Sequence, residues 1–304
     1  KANCRLVNSI PKEVTILDEA NLTFLPKSIK NPVEVENERI AHIKDGVALT
    51  KFICWLKKNV GKIPMTELSA GEKLYSFRAQ QENFIDNSFD PIISYGIHAA
   101  INHYSATPET DIAIEPGNFL LADTGGHYYE GTTDTTRTIV MGSVNDEQKK
   151  YFTAVLRGML NLGNAKFRYG CTGVNLDYLA RGPLWEMGQD FNHGTGHGVG
   201  YLLNVHEGPN SFRWRIIQGD NAVLEEGMIT SDEPGYYVEN QYGIRHENLL
   251  VCKKAEKTSF GQFMCFEHLT MVPFDLDAVV PELMTVQERA LLNNYHAQVY
   301  KKIS

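Results

Sequence analysis

Four acidic residues of this 304-residue chain stand where a solvated acid is out of place. Asp123, Asp134, Glu233 and Glu247 lie in apolar or glycine-rich stretches that read as strands. Any one of them alone is accounted for by a salt bridge or a turn. Burying all four together is prohibitively costly without compensating positive charge, and two divalent cations would supply it. The run His193-Gly194-Thr195-Gly196-His197-Gly198-Val199-Gly200 adds two imidazoles among residues small enough to let backbone and metal approach closely. His206 follows nine residues after His197, in Asn204-Val205-His206-Glu207-Gly208-Pro209. A lone histidine is commonly a hydrogen-bonded brace, but three among so many glycines form a candidate ligand or pocket set.

The acids also repeat a pattern. Gly117-Asn118-Phe119-Leu120-Leu121-Ala122-Asp123 and Gly227-Met228-Ile229-Thr230-Ser231-Asp232-Glu233 share a glycine, an apolar stretch and an acid six residues on. A second acid follows each, Asp134 after eleven residues and Glu247 after fourteen. Two hairpins of one plan, each delivering two carboxylates, would face each other across a pseudo-twofold axis.

Elements able to carry these hairpins are legible around them. Asn31-Pro32 followed by Glu34, Glu36 and Glu38 is a helix start, with a cap, a proline in the first turn and acids at the positive dipole end. Ile40, Ile43, Val47, Phe52, Trp55 and Leu56 recur at helical spacing, which predicts an amphipathic helix over 33–59. Helices are also predicted over 67–83 and 146–163, and glycine-punctuated strands over 119–141 and 227–252. Val14-Thr15-Ile16-Leu17 and Leu22-Thr23-Phe24-Leu25 read as short strands without partners. The class is α+β.

Composition narrows the function. A 42% hydrophobic and 22% charged chain is an ordinary globular protein. A formal charge of -8, with no dense Lys/Arg cluster, works against binding nucleic acid or anionic lipid. No run of about 18 apolar residues is present to span a membrane. Cys4, Cys54, Cys171, Cys252 and Cys265 are widely spaced, with no C-x-x-C pair, and fit a reducing, cytoplasmic setting.

Taken together, Asp123-Thr124-Gly125-Gly126-His127-Tyr128 with Gly131-Thr132-Thr133-Asp134-Thr135-Thr136-Arg137-Thr138, the His193 to Pro209 run, and Asp232-Glu233-Pro234-Gly235-Tyr236-Tyr237 with Gly243-Ile244-Arg245-His246-Glu247-Asn248 resemble aminopeptidase P, one of the pita-bread metallopeptidases. The resemblance extends over about residues 31–300 and includes all five metal-ligand positions in the family's order. It implies an α+β pita-bread fold with a pseudo-twofold internal repeat, and removal of the first residue from peptides with proline in second position. Residues 31–275 would be the catalytic domain, 276–304 a C-terminal helical extension, and 1–30 a remnant of an upstream domain or linker. The family carries N-terminal domains that narrow the entrance, so this chain is expected to load metal yet work poorly as an exopeptidase.

Carried over residue by residue, the resemblance makes Asp123 the ligand of one metal, His197 and Glu233 the ligands of the other, and Asp134 and Glu247 the bridges. One histidine and four carboxylates suit Mn²⁺, with Co²⁺ or Zn²⁺ as alternatives. Two metals about 3.5–4 Å apart would acidify a shared water and polarise the substrate carbonyl. The amide before proline has no N–H, so its nitrogen must gain a proton as it leaves. The resemblance gives that transfer to Glu233, as general base and then acid. His103, in His98-Ala99-Ala100-Ile101-Asn102-His103-Tyr104, and His206 match pocket histidines that would hold the carbonyl and stabilise the oxyanion. His193 matches another pocket histidine, or else braces the glycine turn. Arg245 would fix the carboxylates around the metals. His98, His127 and His246 carry no assigned role. Gly126-His127 and His246 depart from the family's most familiar form at non-ligand positions, where tuning of the pocket is expected. The family often forms homodimers.

Prolidase, a dipeptidase with the same fold and ligands, is the alternative reading. The Asn204–Pro209 run, Phe266-Glu267-His268-Leu269-Thr270 and Leu292-Asn293-Asn294-Tyr295-His296 favour aminopeptidase P. Methionine aminopeptidase places its last glutamate in a different motif. A non-catalytic pita-bread binding module, or a metal-free creatinase-like hydrolase, would have lost ligands that are all present here.

Overall fold

The computed structural model describes residues 3–17, 19, 21–202 and 204–304. Residues 1, 2, 18 and 20 of the expected upstream remnant, and residue 203 of the expected catalytic domain, lie outside the described residues.

The Asn31 side chain accepts the backbone N–H groups of Val33 and Glu34, while the Glu34 carboxylate accepts the Asn31 N–H at 2.8 Å. Both orphan ends of the first turn are thereby satisfied, and the helix Pro32–Asn59 starts where the sequence predicts. Its buried face keeps only part of the predicted one, Phe52 and Leu56. Glu38, Ala41, His42, Asp45, Ala48, Leu49, Phe52 and Leu56 are buried, whereas Ile40 is 38% exposed. The polar part of that face does structural work near the site. Arg78 Nε donates to Asp45 Oδ1 at 2.7 Å, and the Tyr128 hydroxyl donates to the same oxygen at 2.9 Å. Arg78 Nη2 also donates to Thr124 Oγ1 at 2.8 Å, beside Asp123. Breaking a buried ion pair of this kind costs about 3–5 kcal/mol, because the surviving charge stays buried without a partner.

The helix predicted over 67–83 is shorter, Glu67–Arg78, and the chain turns at Asn83, whose φ is 63°. The helix Asp146–Gly163 matches its prediction. The two expected N-terminal strands are not formed: 14–17 has no regular structure, and Phe24–Ser28 is a short helix. Apolar runs of that length are ambiguous between strand and helix, and no strand lies alongside either of them. Past that helix, the Lys30 N–H donates to Gly227 O at 3.0 Å and Ile29 bridges Met228.

One antiparallel sheet runs Ile92–Tyr95, Phe119–Thr124, Thr135–Val140, with Asp123 opposite Thr136. A second runs Ile229–Asp232, Asn248–Thr258, Gly261–His268, Lys166–Arg168, all antiparallel. Inside each main hairpin sits a smaller one. Gly126–Tyr128 with Gly131–Thr132 fills the interval between Asp123 and Asp134, and Gly235–Val238 with Tyr242–Arg245 fills that between Glu233 and Glu247. The repeat reaches the backbone as well: Gly117 and Gly227 have φ of 119° and 92°, a region that a residue with Cβ rarely enters.

The largest core cluster joins the halves through Phe119, Phe152, Leu156, Tyr236 and Ile244, and the C-terminal helix Val286–Ile303 adds Leu292, Tyr295 and Val299. Burying a side chain such as Phe152 contributes about 1.5–3 kcal/mol. No helix among the described residues is long and apolar enough to cross a membrane.

Candidate active site

Asp123 lies near the end of the strand Phe119–Thr124, and Asp134 directly precedes Thr135–Val140. Glu233 directly follows Ile229–Asp232, and Glu247 directly precedes Asn248–Thr258. The shared plan of the hairpins therefore brings all four acids to one place. They line a cavity of about 790 Å³ together with His103, His193, His197, His206 and Arg245.

His197 Nε2 is 3.5 Å from Asp134 Oδ2 and 3.4 Å from Glu233 Oε1. Asp134, His197 and Glu247 each present a ligand atom within 4.8 Å of the others. Burial, opposed by His197 and Arg245, pushes the Glu233 carboxyl up to about 7. Burial and then the repulsion of the neighbouring acids raise Glu247, and burial raises Asp134. Burial lowers His197, but its hydrogen bond to Asp134 and the charge of Glu233 more than reverse this, to about 9. The cluster thus demands positive charge at its centre. A donor set of carboxylate oxygens and one imidazole nitrogen fits a pair of divalent cations.

Asp123, His197, Glu233 and Glu247 are each oriented by a neighbour. Thr136 Oγ1 donates to Glu247 Oε2 at 2.8 Å, and Ser231 Oγ donates to Glu233 Oε1 at 3.0 Å while accepting the His197 N–H at 2.9 Å. His197 Nδ1 faces Gly198 O at 3.0 Å, which leaves Nε2 directed at Asp134 and Glu233. Arg245 Nη2 donates to Asp123 Oδ2.

His103, His193 and His206 all line the cavity. His206 packs edge-on against His197, their ring centroids 3.9 Å apart, and burial with the charges of His197 and His103 holds it down to about 4. His193 lines the cavity, and its Nδ1 lies 2.7 Å from Gly194 O. Burial, then the Arg245 charge, takes it to about 3. His98, His127 and His246, to which the sequence assigned no role, lie elsewhere. His98 Nδ1 is 3.0 Å from both Glu67 oxygens, His127 Nδ1 meets Thr132 Oγ1, and His246 packs against the edges of Phe152 and Phe274. Neither His127 nor His246 lines the cavity, so the expected tuning of the pocket at these positions is not found. One faces the small hairpin and the other the core.

Two further residues belong to the site. Arg245 Nη1 donates to the Tyr237 hydroxyl at 2.8 Å, and that hydroxyl lies 2.9 Å from His193 Nε2. Tyr237 thus joins the arginine to the histidine wall. Its signal in the sequence was strand alternation, which puts it on the face of Gly235, whose register partner is Arg245, while Tyr237 itself pairs with Gly243. Buried Arg137 donates to Glu247 O at 2.6 Å and to Asn248 Oδ1 at 2.8 Å, so it braces the backbone of the last acid.

A model of metallopeptidase family M24 matches residues 36–254, and one of the C-terminal region of that peptidase matches 262–304. Among similar proteins, Probable Xaa-Pro aminopeptidase P of Botryotinia fuckeliana is 44% identical over 91% of this chain and 43% of its own length. That of Sclerotinia sclerotiorum is 45% identical, over 91% and 47%. The chain therefore spans less than half the length of these relatives. The X-prolyl aminopeptidase from Caenorhabditis elegans, described as a cytosolic enzyme with a di-nuclear active site, superposes with a TM-score of 0.87 at 37% identity, covering 93% of this chain and 46% of that one. Prolidase from Pyrococcus furiosus gives 0.65 at 27% identity, covering 82% and 67%. The mixed helix and strand architecture is the pita-bread fold of these enzymes.

Proposed function

We propose, for a chain that belongs to metallopeptidase family M24, that its site hydrolyses the first peptide bond of substrates with proline in second position. The observation that carries this is the convergence of Asp123, Asp134, His197, Glu233 and Glu247 on one cavity beside His103, His193 and His206. Its substrate class is supported by the likeness to X-prolyl aminopeptidase.

Asp123 would hold one cation, His197 and Glu233 the other, and Asp134 and Glu247 both. Divalent cations in that set, Mn²⁺ first and Co²⁺ or Zn²⁺ next, supply Lewis acidity toward the substrate carbonyl and a more acidic water. Glu233 takes a proton from the attacking water and returns it to the proline nitrogen, which has no hydrogen of its own. His206, held to about 4 and so neutral at pH 7, donates an N–H to the carbonyl oxygen as it gains charge, with His103 beside it. His193 lines the substrate wall, and Arg245 holds Asp123. Widely spaced cysteines, with no disulfide among the described residues, support a cytoplasmic setting, and a homodimer is the assembly we expect.

Prolidase activity is the second reading, favoured by the shared fold with the Pyrococcus furiosus enzyme. Metal analysis, with rates on an Xaa-Pro dipeptide and on an Xaa-Pro tripeptide, tests both. Two bound cations and faster cleavage of the tripeptide are expected. Cleavage of the dipeptide alone would select prolidase, and no metal uptake would sink the proposal.

A further inference from the structure

Arg213 stands on the wall of the same cavity and has no part in the acid cluster. Its Nε donates to Asp220 Oδ2 at 2.5 Å, and Asp220 lines the cavity too. The guanidinium lies against Gly194: a Cβ placed on that glycine would come within 2.5 Å of Nη1 and 3.0 Å of Cζ. The bare Cα of Gly194 leaves room for the guanidinium, and Gly194 directly follows His193. Among the described residues, the two terminal nitrogens of Arg213 make no hydrogen bond. Arg245, the other arginine of the cavity, is committed to Asp123 and Tyr237. Partly exposed ion pairs such as Arg213–Asp220, with side chains 30% and 25% exposed, add little stability, so stability does not account for this arrangement.

We propose that Arg213, aimed by Asp220 and seated on Gly194, is a specificity-determining residue that receives the C-terminal carboxylate of short peptides. The proposal rests on the peptidase reading above. A planar fork with free Nη donors matches the two oxygens of a carboxylate. The anionic end of a short substrate is then held by charge at Arg213. A longer peptide offers the fork a neutral backbone carbonyl instead, which is a weaker acceptor. Short substrates gain accordingly.

The test compares free acids with their amides on the metal-loaded protein. Calorimetry measures binding of the dipeptide Pro-Leu against Pro-Leu-amide, and kinetics measures the tripeptide Ala-Pro-Leu against its amide. In the unmodified protein the acid is expected to bind about tenfold or more tighter, with the kinetic difference in KM rather than kcat. R213A, and R213Q, which keeps much of the bulk, are each expected to bring the acid-to-amide ratio close to one. Because the ratio is taken within each protein, partial loss of folded material cancels. An unchanged ratio in both variants, or no preference in the unmodified protein, overturns the proposal. Failure to cleave either tripeptide, with the binding preference intact, would instead count against the peptidase reading.

Discussion

Arg245 Nη2 lies 2.5 Å from Asp123 Oδ2, a hydrogen bond from the inner hairpin of the second half to an outer strand of the first. The same guanidinium is held at Nη1 by the Tyr237 hydroxyl, so Asp123 takes its orientation from a group already fixed on its far side. Arg245→Lys keeps the charge but cannot make both bonds. It is expected to weaken binding of at least one cation about 10- to 100-fold, read by calorimetry. Undiminished affinity at both sites would count against this bracing role.

Glu233→Gln keeps an oxygen at the position but removes the group that carries the proton. A fall in kcat of about 10² or more is expected in protein shown to hold both metals. Unaltered turnover in that metal-loaded variant would remove the proton-transfer role.

Bridging and terminal positions should respond differently to truncation. Asp134→Ala and Glu247→Ala are each expected to weaken both cation sites and abolish activity, whereas His197→Ala should weaken one site more than the other. Calorimetric titration of the three variants decides it, and an identical stoichiometry of two in all of them would contradict the assignment.

The pH dependence of stability has one readable contributor outside the site. Burial would raise Glu267, but hydrogen bonds from Arg39 and Lys253 overcome it and hold the carboxyl at about 2, below its ordinary 4.5. A depressed carboxyl gives stability that is fully present above pH 4.5 and is lost as pH falls toward 2. Glu267→Gln is therefore expected to melt lower than the unmodified protein at pH 7, with the gap closing between pH 4.5 and 2. A gap that stays constant across that window would show that the ion pairs are not its source.

The parts of the fold that were legible share a local cause. The Asn31 and Glu34 cap, the helix Asp146–Gly163 and the paired hairpins are each written in consecutive residues. Glu38, His42 and Asp45 were not legible as core, because charged residues at helical spacing read as a solvated face until Arg78 and Tyr128 are brought against Asp45, and the Thr132 N–H against Glu38, from elsewhere. The acids, His197 and the pocket histidines could be named because motif and charge argument coincide. Tyr237 and Arg137 sat inside the same motifs without declaring a role, since their partners, His193, Arg245 and Tyr295, are distant in sequence or become neighbours only through strand pairing. The segments 14–17 and 22–25 show the converse: β-branched and apolar residues suggested strands that no neighbouring edge receives.

Tyr295, on the last helix, gives the brace at Glu247 a consequence in time. Its hydroxyl lies 3.0 Å from Arg137 Nη2 and 2.9 Å from the carbonyl oxygens of Thr270 and Val272, and Arg137 in turn holds Glu247 O. A chain emerging from the ribosome amino end first exposes all four acids before Tyr295 exists. Until that helix docks, a buried guanidinium lacks one of its acceptors, which disfavours the closed arrangement of the last acid. The placing of the last acid thus depends on a helix that lies beyond it in the chain, so that the order in which the chain is made runs against the order in which this corner can close.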